Sequence, residues 1–295
     1  MTAKNILHML SPLKHMSPFD VNMALDAGFD SVTPYSGVTL DDITPLVQDA
    51  MFSRAPRDAA RTGVFIGGKD AVLALDMLQQ LRKTLLKPFE ISAFADPAGS
   101  FTTAAAMVAC VENILKQENA KALGQTKIVI FGATGPVGYT SGVIAAMEGA
   151  DVTLAGRELS RVKAKADEIK QRFGLDVHAA QAKTPQEISS ALAGKEVALC
   201  AAAAGQQVLS ATMLAAAKSL LVCADVNAVP PAGIEGLDFH ANGAELTGGS
   251  LGIGPLAIGD VKYKTESGLF RRMANSATAL SLDFRDAFAL AREIA

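Results

Sequence analysis

Lys127-Ile-Val-Ile-Phe-Gly-Ala-Thr-Gly-Pro-Val-Gly138 runs four apolar residues, Ile128 to Phe131, straight into three glycines spaced three apart: Gly132, Gly135 and Gly138. The apolar run has the length of a strand, and the residues after the glycines carry a helical pattern. A further strand follows about 20 residues on, which is the context a nucleotide-binding turn requires. Glycines there let the backbone turn sharply and come close to a pyrophosphate, whose charge the following helix N-terminus favours. A tight turn without a ligand is the plainer alternative. The pattern is G-x-x-G-x-x-G rather than G-x-G-x-x-G, a variant met with NADP.

Outward from this turn the chain alternates strands and helices. Strands are predicted at Lys127–Phe131, Val152–Ala155, Asp176–Ala180, Val197–Cys200 and Leu220–Ala224, with helices near Val137–Met147, Glu158–Phe173, Pro185–Ala193 and Val208–Ala216. This is the order of a Rossmann domain. A second alternation precedes it: strands at Ile6–Leu10, Ser31–Tyr35, Gly63–Ile66 and Ile91–Ala95, and helices at Phe19–Asp26, Leu40–Phe52, Ala71–Leu86 and Thr102–Lys116. Alternation of this kind predicts a parallel sheet covered by helices. The polar stretch Gln117–Thr126 reads as the boundary. The fold class is therefore α/β with two domains: an N-terminal parallel-sheet substrate domain over 1–125 and a Rossmann NAD(P)-binding domain over 126–262. C-terminal helices over 263–295 are expected to pack back across the domain junction or onto the first domain.

Composition narrows the function. The chain has 295 residues, 49% apolar and 19% charged, enough for a large core and too apolar for disorder. A net charge of −3 without a basic run gives no reason to expect nucleic acid. The N-terminal segment is broken by Ser11-Pro12 and reads as neither signal peptide nor membrane span. Cys110, Cys200 and Cys223 are far apart in apolar runs, as expected of reduced thiols in a cytoplasmic protein, and no metal-ligand spacing occurs.

The second strand of the Rossmann alternation selects the cofactor. An NAD enzyme ends it with Asp or Glu, which accepts from the ribose hydroxyls. Here the tip reads Gly156-Arg157-Glu158, and Arg161 follows within a helical turn. A guanidinium at that place can hold a 2′-phosphate bidentately, so NADP is favoured. Glu158 can still accept from a ribose hydroxyl, so NAD remains possible. Two solvated arginines in a first helical turn would be the bland reading.

No Tyr-x-x-x-Lys pair, Ser-His-Asp pattern or His/Cys cluster stands out. Hydride transfer at an alcohol or ketone needs a proton relay. Removing hydride from a carbon flanked by two nitrogens does not, because the lone pairs delocalise the cation and the protein need only align the reactants. The missing relay points toward a carbon–nitrogen substrate.

Six segments then carry a resemblance: 17–22 (SPFDVN), 65–70 (FIGGKD), 95–104 (ADPAGSFTTA), 132–138 (GATGPVG), 225–234 (DVNAVPPAGI) and 251–254 (LGIG). Over nearly its whole length the chain resembles the NAD(P)-dependent methylene-tetrahydromethanopterin dehydrogenases of bacterial one-carbon metabolism. The beginning, Ile6 to Asp20, is similar to the branch that uses both NAD and NADP, and the Gly156-Arg157 tip to the NADP-restricted branch. The resemblance implies oxidation of methylene- to methenyl-tetrahydromethanopterin in formaldehyde oxidation, by direct hydride transfer without a metal, with the pterin in the cleft between the domains. It also implies a homo-oligomer. The cofactor loops would comprise Gly132, Ala133, Thr134, Gly135, Pro136, Val137 and Gly138, then Ala202 and Ala203 after the fourth strand, and Val226 and Asn227 after the fifth. Ile253 would lie near the nicotinamide.

Substrate residues are sought at the C-terminal ends of the first domain's strands. Lys14, His15, Asp20 and Asp96 are the candidates for catalysis, and Lys69, Asp70, Ser100 and Thr102 for substrate contact. Carboxylates there would offset the positive charge developing on the pterin, and lysines would hold its anionic tail. Asp20 as a helix-start acid, Lys69 as a solvated helix start and Ser100 as an N-cap are the structural alternatives. Methylene-tetrahydrofolate dehydrogenases share the domain plan but characteristically use the Tyr-x-x-x-Lys pair absent here. A non-catalytic NADP-binding redox sensor would not need the first domain's polar loops.

Overall fold

The computed structural model describes residues 3–295. The first part alternates as the sequence predicts: β1 (Ile6–Ser11), α1 (Pro18–Asp26), β2 (Ser31–Ser36), α2 (Ile43–Phe52), β3 (Thr62–Ile66), α3 (Ala71–Thr84), β4 (Ser92–Ala95) and α4 (Ser100–Asn119). The Rossmann part follows as β5 (Lys127–Phe131), α5 (Pro136–Met147), β6 (Asp151–Gly156), α6 (Leu159–Phe173), β7 (His178–Gln181), α7 (Pro185–Leu192), β8 (Val197–Cys200), α8 (Ala211–Ala216), β9 (Val222–Asp225), β10 (Asn242–Glu245) and β11 (Leu251–Ile253). The chain closes with α9 (Pro255–Asn275), β12 (Ser281–Leu282) and α10 (Phe284–Ile294).

Two compact units result, one of residues up to Thr102 with Tyr263–Leu290, the other of Thr103–Lys262 with Ala291–Ala295. The chain thus passes from the first unit to the second inside α4, ahead of the polar stretch 117–126. One reason is visible in the sequence of α4 itself. It carries no Gly or Pro to break it and is long and apolar enough to cross a membrane, yet most of it is buried inside the protein.

In the first unit five strands run parallel in the order β12-β4-β3-β1-β2. The sequence predicts four. The fifth, Ser281–Leu282, is only two residues long and has no periodicity to read; it is held by pairing with Ala93 and Phe94. The Arg82 guanidinium secures it by donating to Ser281 Oγ (2.6 Å) and Asp283 (3.2 Å). Phe65, Phe94 and Phe270 form the centre of this unit's core, with ring centroids 5.2–5.5 Å apart and edge-to-face or tilted geometry. Burying each ring contributes about 1.5–3 kcal/mol. Residues of the C-terminal segment are therefore structural members of the first unit.

In the second unit seven strands are ordered β10-β11-β9-β8-β5-β6-β7, parallel except for β10, which is antiparallel to β11. The chain steps from β5 outward through β6 to β7, then returns to β8 on the other side of β5. That reversal opens a crevice at the carboxyl ends of β5 and β8, the place where ligands bind in such sheets. Two strands of this sheet lie in or beside the Gly-rich stretch 248–255, where glycines conceal the period-2 signal. Val208 and Leu209, predicted as the start of a helix, are not helical, and Leu209 bridges to Ile234. The helix begins only after Ser210, whose hydroxyl accepts from Met213 N–H at 3.3 Å.

Candidate functional site

The crevice holds a cleft of about 640 Å³. Gly132, Thr134, Gly135 and Pro136 form its floor, Gly156 and Arg157 one side, and Ala202 and Ala203 the other. The glycines have distinct reasons. Gly132 sits at φ +75°, and a Cβ there would meet Ala201 O at 2.3 Å, so the turn and the neighbouring loop both require it. Gly138 lies against the Gly132 carbonyl, where a Cβ would approach to 2.6 Å. At Gly135 the nearest atom to an added Cβ is Gly132 O at 3.4 Å, so the protein leaves room there and the space opens into the cleft. Pro136 starts α5, and no side chain caps that helix, so its first N–H groups are left for an anion. These residues fit a pyrophosphate.

Next to the cleft is a small niche of about 40 Å³, bounded by Thr134, Arg157, Glu158 and Arg161. Neither guanidinium is held by an ion pair or side-chain hydrogen bond among the described residues. Glu158 is the N-cap of α6 but makes no capping bond. Arginines normally find partners; two left free beside an uncapped helix start fit a 2′-phosphate.

Other sequence candidates lie elsewhere in the unit. Ala133 is fully buried beneath the turn, and Val137 is half-buried in the first turn of α5. Asn227 is buried, and both ends of its amide are engaged: Oδ1 accepts from Gly205 N (3.1 Å) and Val229 N (2.9 Å), while Nδ2 donates to Pro231 O (2.9 Å). It ties the loop after β8 to the loop after β9, the latter beginning with the half-buried Val226. The partner device is Asp225, 1% exposed, whose carboxylate accepts from Asn227 N (3.0 Å) and Gly233 N (2.6 Å). Burial pushes the Asp225 carboxyl above the usual value, although the backbone N–H groups of residues 226, 227, 233 and 234 pull the other way. Ile253 is wholly buried in β11 and presents no surface. Sequence reasoning missed Lys183, Ile188, Gln206, Gln207 and Val208, all of which line the cleft. Lys183 stands past the tip of β7, where the rule that singled out Arg157 past β6 would have found it.

The first unit's loops show a different pattern. Lys14 and His15 are exposed after β1, and Asp20 is buried in the first turn of α1, which Ser17 caps. Lys69 is exposed; Asp70 caps α3, accepting from Val72 N (2.8 Å) and Leu73 N (3.0 Å). Asp96 is fully buried and takes the helix-start bonds of α4, from Phe101 N (2.8 Å), Thr102 N (3.3 Å) and the Thr102 hydroxyl. Thr102 is thus also buried and engaged. Ahead of it Ala98 is held at φ 52°, ψ 36°, an uncommon left-handed conformation for a residue with a Cβ. Ser100 Oγ is buried without a hydrogen-bond partner among the described residues. Polar groups therefore gather at the ends of β1, β3 and β4, and two of the carboxylates already serve helix starts.

Reversed strand order, a glycine turn at the switch point and a cleft floored by backbone N–H groups define a Rossmann-type dinucleotide-binding protein. Quinate dehydrogenase from Corynebacterium glutamicum, solved in complex with NAD, has a similar fold: TM-score 0.55 at 16% identity, covering 97% of this chain and 98% of that one. The chain belongs to the NAD(P)-dependent methylenetetrahydromethanopterin dehydrogenase family. The enzyme of that name from Methylorubrum extorquens is 52% identical over 295 residues, 99% of each chain. The bifunctional protein MdtA of the same organism is 33% identical over 293 residues, 99% of this chain and all of that one. Residues 18–98 match the family described as methylene-tetrahydromethanopterin dehydrogenase, N-terminal.

Proposed function

We propose that this chain oxidises methylene-tetrahydromethanopterin to its methenyl form, with NADP as the preferred acceptor and NAD as a second one. The observation that carries the cofactor half is the pair of unengaged guanidiniums, Arg157 and Arg161, beside the open Gly135 floor. The substrate half is supported by the length and level of identity to the Methylorubrum extorquens enzyme.

The nicotinamide, when bound, supplies the hydride acceptor. The chain's own residues have three tasks. The Gly132–Pro136 turn and the α5 N-terminus hold the pyrophosphate, and Arg157 with Arg161 holds the 2′-phosphate. Asp225 and Asn227 fix the loops after β8 and β9 in shape, so that little conformational freedom is lost on binding. In the first unit Lys14 and Lys69 are the exposed cations, and His15 an exposed imidazole, for the pterin's anionic tail, and Asp20, buried in the first turn of α1, would offset positive charge on its ring. Asp70, Asp96, Ser100 and Thr102 shape those loops. The protein functions in the cytoplasm as a homo-oligomer, as its apolar buried thiols and its family suggest.

The test is the appearance of reduced nicotinamide with methylene-tetrahydromethanopterin against methylene-tetrahydrofolate, each with NADP and NAD. Turnover of the pterin with NADP ahead of NAD is the expected result. Turnover of the folate alone would overturn the substrate assignment.

A further inference from the structure

The niche at the start of α6 contains charges of both signs, and one of them works against the preferred cofactor. At about 40 Å³ it has room for roughly three water-sized groups, so it suits a small polar substituent and not a ring. Arg157 and Arg161 favour a phosphate there, as do the uncapped N–H groups of the first turn of α6, a helix of 15 residues. Glu158 shares the same niche. Its carboxylate caps nothing and forms no ion pair with either arginine, although both are its near neighbours in sequence. A carboxylate in that position repels a phosphate dianion and accepts well from a ribose hydroxyl.

We propose that Glu158 is a specificity-determining residue that keeps NAD usable: it accepts from the 2′-hydroxyl of NAD and lowers the advantage that the arginines give to NADP. The inference rests on the cofactor reading above and goes beyond it. Gly156, at the strand tip, supplies no acceptor of its own. Without Glu158 the NAD ribose would face two guanidiniums and the helix N–H groups, donors all, with its own donor hydrogens unmet. With it, both cofactors find a complement: the phosphate in Arg157 and Arg161, the hydroxyl in Glu158.

Glu158→Gln keeps the shape and an acceptor oxygen and removes the charge. NADPH and NADH dissociation constants, titrated by nicotinamide fluorescence in the absence of pterin, give the direct readout, with kcat/KM for both cofactors alongside. NADH should weaken by about tenfold with loss of a charged acceptor. NADPH should tighten by about two- to fivefold, an effect that shrinks at high salt. The selectivity ratio then moves by more than about tenfold toward NADP. Equal shifts for both cofactors, or no shift, would overturn the proposal. Glu158→Ala, which also removes the acceptor oxygen, should weaken NADH at least as much; if NADH keeps its affinity in both variants, Glu158 does not read the ribose. Because the titration needs no substrate, it stands even if the pterin assignment fails, and the folate assay fails separately.

Discussion

The two units treat their polar residues in opposite ways. In the second unit the charged groups around the cleft are left without structural duty: among the described residues Arg157, Glu158 and Arg161 make no ion pair, and neither α5 nor α6 is capped by a side chain. In the first unit the acids at the strand ends are occupied, with Asp70 and Asp96 accepting backbone N–H groups at the starts of α3 and α4. A polar residue at a strand's carboxyl end is therefore not evidence of ligand contact until its partners are counted. A helix start and a ligand ask for the same oxygen, and the nearer claimant is the helix. Cations at a helix start have no such claimant.

The largest effect is expected of Gly135→Val. The protein leaves space at that position, so the fold should survive, unchanged by circular dichroism, while the side chain fills the pyrophosphate's place and cofactor binding is lost in calorimetry. Retained nucleotide affinity would move the site out of the cleft. Arg157→Ala comes next. A phosphate contact of about 1.5–3 kcal/mol corresponds to about a ten- to hundredfold rise in the Michaelis constant for NADP, with a much smaller one for NAD. Equal losses would mean that Arg157 does not read the phosphate.

Occupied acids should behave otherwise, through stability. Glu112 in α4 accepts from Arg292 at 2.6 and 2.8 Å and from Lys116 at 3.2 Å, and Arg292 also reaches Glu148. Burial alone would raise the Glu112 carboxyl, but the bonds from Arg292 and Lys116 outweigh it and hold the group below its usual value. A depressed carboxylate stabilises the fold above its unfolded value and loses that contribution as pH falls through the folded one. Glu112→Gln should therefore destabilise by about 1.5–3 kcal/mol near neutrality, and the gap should close below about pH 4.5, in denaturant melts across pH. A gap independent of pH would show packing, not charge, at work. The smallest effect is expected of Asp96→Asn, about 1–2 kcal/mol for a weakened helix start, read as a lower melting temperature of the protein without ligands. An unchanged melting temperature with a lower kcat would place Asp96 among the groups that face the substrate.

The sequence made the second unit easy to read because backbone geometry and residue type agree there. Strand β5 and the glycines at 132 and 138 follow from local geometry, Arg157 stands just past the tip of β6, and Lys183 stands in a comparable place past the tip of β7. In the first unit the elements were legible from periodicity, but the function of Asp70, Asp96 and Thr102 was not, since capping and ligand contact leave the same letters in the chain. Strand β12 could not be read, because two residues have no period; Leu280 N–H bonding to Ser92 Oγ at 3.1 Å and Ala93 N–H to Leu280 O at 2.7 Å are facts of tertiary contact. Nor does the sequence tell that the Asn227 amide is engaged at both its oxygen and its nitrogen. Its role is set by Gly205, 22 residues earlier.

The loop after β9 has a consequence for how this chain can vary over descent. A side chain at Gly233 would place its Cβ 2.8 Å from the Asp225 carboxylate, and Asn227 depends on that same acid for its backbone turn. Positions 225, 227 and 233 are therefore not three independent choices. A change at any one is tolerable only with a matching change at the others, so the three should be inherited together or replaced together, and a library that randomises them singly should recover almost only the residues already present.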